Sequence, residues 1–447
     1  MTILPLVFAW SVSSAVFWTV RSYLGGGENL AATVQVRKSL ILRRDTWHGK
    51  PAWSKTDGSP IVVALALSGG GYRAALIHAG LLKAFDQECV PVRYLTTVSG
   101  GSIVGGYYSL GYTPDEFKTK LEQFRPHLAD ELFSASSLLS EFYAFDWTYT
   151  NTYVEHLRKI YFGSTTLGSE ELKGSKLRLV INATDLDKKQ EGAREVFFQG
   201  NYWQTEQTLL AETVAASGAF PGIFQPLPLY WPHKNLGSPS LEVLGKRKFV
   251  DGGVVENFGI TGLSRYLEKT GLPPPDILVV SNASKYIKRW PLRRESEYLF
   301  PILRNPPKQE VIDLLLKSQN ITYSVNDRLM IDLMLNGKPG WLSRNLGTPH
   351  VLFATSTSLE AANKLQNRKL VYKDGHGKLI DAYHTALTVA AYDTLEELSP
   401  RQVNMAFWVG YQFGLLYLEE LDLIRQKLGG MGRSCLSSKI AAPDGKI

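Results

Sequence analysis

The stretch Ser68-Gly69-Gly70-Gly71-Tyr72-Arg73 decides the fold class of this chain, together with a second glycine turn at Thr97-Val98-Ser99-Gly100-Gly101-Ser102. An apolar run with strand character precedes each turn, at Ile61–Leu67 and Tyr94–Val98. A stretch with helical character follows each turn, at Ala74–Phe85 and Ile103–Leu110. Two strand–turn–helix units this close in sequence predict an α/β fold, with one site at the carboxyl edge of a mainly parallel sheet.

Ser99 stands where a serine nucleophile is expected. A serine in a sharp turn between a strand and a helix points its hydroxyl outward, and its neighbours must be small because the turn is crowded. Gly100 and Gly101 meet that requirement. Backbone N–H groups at a helix start can stabilise an oxyanion, and the Gly69–Gly71 turn has no side chain to block them. For either turn alone, a structural interpretation in which glycines merely end a strand stays open.

A rival motif overlaps the first turn. Gly69, Gly71 and Ala74 match the dinucleotide-binding pattern G-x-G-x-x-[GA]. That pattern also requires an acidic residue about twenty positions on, where the second strand closes. The second strand here ends at Val98 and Ser99, without an acid. A P-loop is excluded because no Gly-Lys-Ser or Gly-Lys-Thr follows the glycines.

A base for the serine is found far downstream, in Phe249-Val250-Asp251-Gly252-Gly253. An acid before two glycines is also typical of an Asp-Gly hairpin turn, and the residues alone favour that interpretation. The chain holds only eight histidines, and none stands in a recognisable strand-end loop. His78 falls within the first helical stretch, and we interpret it as structural.

The ordered set of motifs resembles the patatin-like phospholipase family, which is similar to cytosolic phospholipase A2 in its catalytic core. The family's oxyanion stretch G-G-G-x-[RK] is present as Gly69–Arg73, and its D-G-[GA] motif as Asp251–Gly253. The small-residue block Ala215–Gly222 resembles the block that precedes the aspartate in the family. The G-x-S-x-G elbow is present at residues 97–101 with one departure, Thr97 in place of the first glycine, whose Cβ would tighten the turn.

The resemblance implies a serine lipid acyl hydrolase that cleaves carboxyl esters of phospholipids or lysophospholipids, without a metal or cofactor. Ser99 would attack the acyl carbonyl, and Asp251 would accept its proton directly or through a water. The implied oxyanion hole is formed by Gly70 and Gly71. The other residues that belong to the motifs are Gly69, Arg73, Gly101, Gly252 and Gly253. Arg73 would attract a substrate phosphate or serve as a helix-surface cation. An acyltransferase or transacylase using the same site, and a non-catalytic membrane-bound protein that keeps the fold, stay as alternatives.

The predicted architecture is a patatin-like three-layer fold, with a helical C-terminal extension. We divide the chain into an N-terminal anchor or signal segment (1–24), a connector (25–60), a catalytic core (61–284) and a mostly helical part that packs on it (285–447). The connector holds a short predicted strand at Ser39–Leu42, and Pro226–Leu244 is predicted as a surface excursion. Ser399–Gln402 is a capping box with Pro400 at the first helical position, so it predicts a long helix.

The composition limits the partners. The 447 residues carry a formal net charge of +7, which fits an anionic membrane surface or ordinary solvated lysines. No zinc motif, RNA-binding signature or long basic run points to nucleic acid. Cys89 and Cys435 form no CxxC motif and predict neither a metal cluster nor a disulfide framework. The oligomeric state stays open.

The N-terminal run Ile3–Val20 contains no charged side chain and would span about 27 Å as a helix. A signal peptide would normally carry a basic region before such a run, and none is present. The first basic residue, Arg21, follows the run, which places the catalytic part on the cytoplasmic side of a membrane. We therefore predict an uncleaved transmembrane anchor, with a cleaved signal as the alternative.

Two further stretches have two interpretations each. The aromatic cluster between Phe142 and Tyr153 would form a lid over an acyl site or pack in the core, and the second interpretation is favoured. The basic stretch Ile287–Arg294 with Trp290 suits a membrane interface or a solvated loop.

Overall fold

The structure is a computed structural model, and it describes a large part of the chain. The described residues are 37–124, 149–187, 195–198, 207–221, 224–233, 243–284, 346–347, 349–357, 359–368, 370–373, 377–392 and 398–431. The predicted anchor at 1–24, the basic stretch at 287–294 and the aromatic residues 142–147 lie outside them. Within the described residues, no helix is long and apolar enough to cross a membrane.

Among the described residues, eight strands form one sheet in the order β5-β6-β3-β2-β1-β7-β8, and β4 pairs with β3 off this path. The strands are β1 (Val63–Leu67), β2 (Val92–Val98), β3 (Arg178–Asp185), β4 (Glu195–Phe198), β5 (Leu227–His233), β6 (Val243–Asp251), β7 (Ile277–Asn282) and β8 (His350–Thr355). Four pairs of neighbouring strands are parallel, namely β3–β2, β2–β1, β1–β7 and β7–β8. By contrast, β6 is antiparallel to β3 and to β5. The predicted mainly parallel sheet is confirmed.

Helices flank the sheet, some of them between its strands in sequence and others after its last strand. They are α1 (Gly71–Gln87), α2 (Gly100–Ser109), α3 (Pro114–Phe124), α4 (Tyr149–Leu157), α5 (Glu170–Gly174), α6 (Leu210–Gly218), α7 (Ile260–Thr270), α8 (Leu359–Gln366), α9 (Ala382–Ala390) and α10 (Pro400–Lys427). A hairpin of β9 (Val371–Lys373) and β10 (Leu379–Asp381) precedes α9. The helical C-terminal region is therefore confirmed, while β8 extends the same sheet beyond residue 284.

The central strand β1 is buried on both faces, as its unbroken apolar run requires. Val63 and Leu65 belong to the larger core, which also includes apolar residues of α1, α2 and α10. Ala64 and Ala66 belong to a second cluster on the other face, together with apolar residues of α7. Alternate side chains of β1 thus pack into two hydrophobic cores, one on each face of the sheet. The fold therefore has three layers, with helices on both sides of the sheet.

The long helix α10 begins where the sequence predicts. Ser399 Oγ accepts a hydrogen bond from the Gln402 N–H at 3.3 Å, and Gln402 Oε1 accepts one from the Ser399 N–H at 2.8 Å. Pro400 occupies the first helical position, where its missing N–H leaves no intrahelical bond unmade. These two bonds confirm the capping box. It could be predicted from the sequence because it depends on residues only three positions apart.

Two local predictions are wrong. Residues 37–45 are helical rather than a strand at Ser39–Leu42, and Ile41 and Trp47 are buried on the side that faces the core. The supposed excursion at Pro226–Leu244 contains β5, whose Leu227 and Leu229 are buried and which pairs with β6. In both cases packing against distant residues outweighs the weak local pattern.

Cys89 is disulfide-bonded, whereas the sequence predicts no disulfide framework. Spacing along the chain does not reveal such a bond, because it depends on the distance between two residues in the folded structure.

Candidate active site

Strand register brings Ser99 and Asp251 to the same level. Val98 lies opposite Asn182 of β3, and Asp251 lies opposite Ala183, the next residue of that strand. Ser99 directly follows Val98, so it lies level with Ala183 on one side of β3. Asp251 lies level with the same residue on the other side. Hydrogen bonding from the Ser99 side chain lowers the pKa of the Asp251 carboxylate, so the two side chains lie close together.

Ser99 has a strained backbone. It is the N-cap residue of α2, with φ of 50° and ψ of −119°, a conformation that residues other than glycine rarely adopt. Such strain persists only where the surrounding structure holds it, and it is concentrated at functional sites. The next residue must be small, because a Cβ on Gly100 would lie 2.2 Å from the carbonyl oxygen of Gly71. The two glycine turns therefore touch each other at this point.

The Asp251 carboxylate is almost completely buried. Burial raises its pKa from 3.8 to about 6, because the charged form loses its hydration. Hydrogen bonds from the Ser99 side chain and from the Gly253 N–H, 2.8 Å from Oδ1, act in the opposite direction. A carboxylate whose pKa lies near neutral pH can both accept and return a proton.

The first glycine turn presents backbone donors at the start of α1. Gly70 is the N-cap residue, and Gly70 and Gly71 have φ values of 133° and 64°. The Ala74 N–H donates to the Gly70 carbonyl at 3.3 Å, so the amides that precede Ala74 have no carbonyl four residues back in this helix. These amides are suited to stabilise a negative charge.

His78 supports the first glycine turn from behind. The side chain is buried, and burial lowers its pKa to about 4, so it is neutral at physiological pH. Nε2–H donates to the carbonyl oxygen of Ser68 at 2.9 Å, and Nδ1 lies 3.0 Å from the hydroxyl of Ser281. These contacts agree with the structural interpretation of this histidine.

Comparison with known proteins supports the same family. Residues 65–264 match the family model described as Patatin-like phospholipase. This segment, somewhat less than half of the chain, is therefore similar to the patatin-like phospholipase family. Lysophospholipase NTE1 of Candida glabrata is 25% identical over 243 residues, which are 52% of this chain and 12% of that protein. The chain therefore spans about an eighth of the length of this curated relative.

Among solved structures, human GIVD cytosolic phospholipase A2 superimposes with a TM-score of 0.51 and 10% sequence identity. The alignment covers 88% of this chain and 67% of that chain. At this identity the likeness shows a shared fold, which is the predicted patatin-like arrangement of a mostly parallel sheet with flanking helices.

Arg73 of the patatin-like segment is 1% exposed. Its Nη1 donates to the carbonyl oxygen of Tyr392 at 2.7 Å, and its Nη2 donates to that of Ala283 at 3.2 Å. The interpretation as a helix-surface cation is wrong, because the first turn of α1 is covered by the chain segments that hold those two carbonyl groups.

Gly101 and Gly252 of the patatin-like motifs lie against backbone. A Cβ on Gly101 would lie 2.5 Å from the carbonyl oxygen of Leu67, and one on Gly252 would lie 2.5 Å from that of Asn182. Gly252 and Gly253 form the 3-10 turn that follows Asp251. Gly101 and Gly252 thus each permit two segments of the site to approach closely.

Two residues that support the site are not predicted as site residues from the sequence. Asn257 Oδ1 accepts a hydrogen bond from the Gly69 N–H at 3.1 Å and so holds the first glycine turn. Ser217 Oγ accepts a hydrogen bond from the Ser99 N–H at 2.8 Å. Ser217 lies within the small-residue block Ala215–Gly222, and the resemblance of that block was the only signal in the sequence that pointed to it.

Proposed function

We propose that this protein is a serine lipid acyl hydrolase that cleaves carboxyl esters of phospholipids or lysophospholipids. The observation that carries the proposal is the strand register that brings Ser99 beside the buried carboxylate of Asp251, whose pKa is raised to about 6. A nucleophile in contact with a base of this pKa is what ester cleavage through an acyl-enzyme needs near neutral pH.

The proposed reaction has two steps. Ser99 Oγ attacks the acyl carbon while its proton passes to Asp251, and the ester C–O bond breaks as Asp251 protonates the leaving alkoxide. Water then attacks the acyl-Ser99 ester, giving a proton to Asp251, which returns it to Ser99 Oγ as the fatty acid leaves. In both steps the N–H groups of Gly70 and Gly71 are the proposed donors to the oxyanion.

The substrate class rests on the family and on the name of the relative, a lysophospholipase. We also propose that the enzyme works at a membrane surface of anionic character, with residues 1–24 as the anchor and the catalytic part on the cytoplasmic side. The net charge of +7 supports an anionic surface, since excess lysine and arginine are attracted to negative headgroups.

The test uses the purified chain with lysophospholipid and phospholipid vesicles, and identifies the released products. Ser99→Ala should lower hydrolysis by on the order of 10⁴-fold or more while keeping the circular dichroism spectrum of the wild type. A fluorophosphonate probe should label the wild type at Ser99. The matched control is Ser264→Ala, since Ser264 is buried in α7 and its hydroxyl has no hydrogen-bond partner among the described residues.

Two results would reject the proposal: labelling at another serine, or full activity in Ser99→Ala. Adding a lipid alcohol to the assay separates hydrolysis from acyl transfer, because water and an alcohol compete for the same acyl-enzyme. A transacylase would form a new ester in preference to free fatty acid.

A further inference from the structure

The hydroxyl of Ser217 lies directly behind the turn that carries the nucleophile. Its Oγ accepts a hydrogen bond from the Ser99 N–H at 2.8 Å and donates one to the carbonyl oxygen of Asn182 at 2.6 Å. Ser217 is completely buried, so water does not compete for these bonds. The amide of Ser99 is therefore engaged by the protein and is not a donor to the substrate.

The same short segment also holds Asp251. Two residues after Ser217, the carbonyl oxygen of Ala219 accepts a hydrogen bond from the Asp251 N–H at 2.9 Å. The segment 217–219, at the end of α6, thus accepts hydrogen bonds from the backbone of both proposed catalytic residues. Ser217 accepts from Ser99, and Ala219 accepts from Asp251. A displacement of this segment would change the distance between Ser99 and Asp251.

The strained conformation of Ser99 makes this support necessary. At a φ of 50° the residue would relax towards an ordinary conformation unless its neighbours prevented it. The bond from the Ser99 N–H to Ser217 Oγ is a direct restraint on that backbone, and relaxation would break it.

The substituted elbow residue joins the same network. Ser102 Oγ lies 3.0 Å from Thr97 Oγ1 and 2.9 Å from Ser217 Oγ. A glycine at position 97 would leave Ser102 without one of these two contacts. In this chain, then, Thr97 Oγ1 accepts a hydrogen bond from Ser102 Oγ and so holds the Ser102 hydroxyl next to Ser217.

We propose that Ser217 is a positioning residue that sets the geometry of Ser99 relative to Asp251, with Ser102 and Thr97 as its supports. The proposal rests on the proposed function for its catalytic consequence, while its structural part can be measured without any substrate.

The experiment compares Ser217→Ala with the wild type and with Ser264→Ala, which also removes one buried hydroxyl. In Ser217→Ala the kcat for a lysophospholipid should fall roughly 10-fold to 100-fold, with KM within about twofold, because misplacing a nucleophile by about 1 Å has effects of this size. Hydrogen exchange of the Ser99 amide should become faster. A weaker bond from Ser99 to the carboxylate should also move the acid limb of the pH–rate profile to higher pH, since that bond lowers the pKa of Asp251.

A second variant protects the test against misfolding of the first. Thr97→Val keeps the shape of the side chain and removes its hydroxyl, so it should shift the acid limb in the same direction by a smaller amount.

The proposal is overturned if Ser217→Ala matches Ser264→Ala in kcat, in the acid limb and in exchange of the Ser99 amide. A wild type that hydrolyses no ester would instead reject the proposed function. Exchange of the Ser99 amide alone would then decide whether Ser217 holds this turn.

Discussion

Arg73 donates a hydrogen bond of 2.7 Å to the carbonyl oxygen of Tyr392, 319 positions further along the chain. Its second bond, to Ala283, reaches the end of β7. The planar guanidinium presents its donors in a fixed fork and can hold two carbonyl groups at once. Through this one side chain, the helix that follows the first glycine turn is tied to the sheet and to the segment after α9.

Replacing this arginine should lower the stability of the fold and leave the preference among substrates unchanged. Arg73→Lys keeps the charge but loses the fork, so we expect the free energy of unfolding to fall by about 1–3 kcal/mol in urea titrations. The value of kcat/KM should fall equally for a phospholipid and for a neutral short ester. Normal stability with a loss confined to phosphate-bearing substrates would instead favour attraction of the substrate phosphate.

The buried carboxylate of Asp251 should make stability depend on pH. Its pKa in the folded state, about 6, lies above the ordinary value of 3.8, so the folded state binds more protons in this window and stability falls as pH rises through it. Asp251→Asn removes this penalty. At pH 8 the variant should be more stable than the wild type by up to roughly 3 kcal/mol, and the difference should vanish towards pH 4.

The same substitution should lower hydrolysis about as much as Ser99→Ala, because the two residues act as one unit. Wild-type activity should fall as pH drops below about 6, where Asp251 becomes protonated. Unfolding curves at several pH values check the first expectation and a pH–rate profile checks the second. This account of the charge would be contradicted if the stability difference between Asp251→Asn and the wild type were no larger at pH 8 than at pH 4.

Thr97 and Gly105 should be energetically coupled. A Cβ on Gly105 of α2 would lie 2.5 Å from Cγ2 of Thr97, so Gly105→Ala should destabilise the fold by about 1–3 kcal/mol through overpacking. Thr97→Gly removes that methyl group, and the double variant should recover part of the loss. Urea unfolding of all four proteins gives the coupling energy, expected above about 0.5 kcal/mol. Strictly additive effects would show that this contact relaxes without cost.

Residues 1–24 are predicted to hold the protein on the membrane. Deleting them should release most of the chain into the soluble fraction, because burial of the apolar run Ile3–Val20 provides the attachment. Wild-type attachment should resist salt, apart from a contribution of basic residues such as Arg21, which is screened over about 8–10 Å. Hydrolysis of a short soluble ester should survive, since the site motifs lie elsewhere. A mature N-terminus beyond about residue 15 would instead identify a cleaved signal.

The features that the sequence determined by itself are local ones. The two glycine turns follow from glycine's freedom at positive φ and from the room that it leaves for close neighbours, and both effects are visible in a run such as Gly69–Gly71. The capping box at Ser399 needs only residues three apart. Apolar runs such as Ile277–Asn282 were recognisable as buried strands because both faces of a parallel sheet are covered.

Tertiary structure decided what depends on residues far apart in the chain. Asp251 reaches Ser99 through the register of β3 between β2 and β6, whereas its own sequence context favours an ordinary turn. The contact of Ser217 with the nucleophile and the burial of Arg73 likewise join segments more than a hundred positions apart. Local propensity carries no information on such pairings, because their free energy comes from desolvation and hydrogen bonds that exist only once the sheet has assembled.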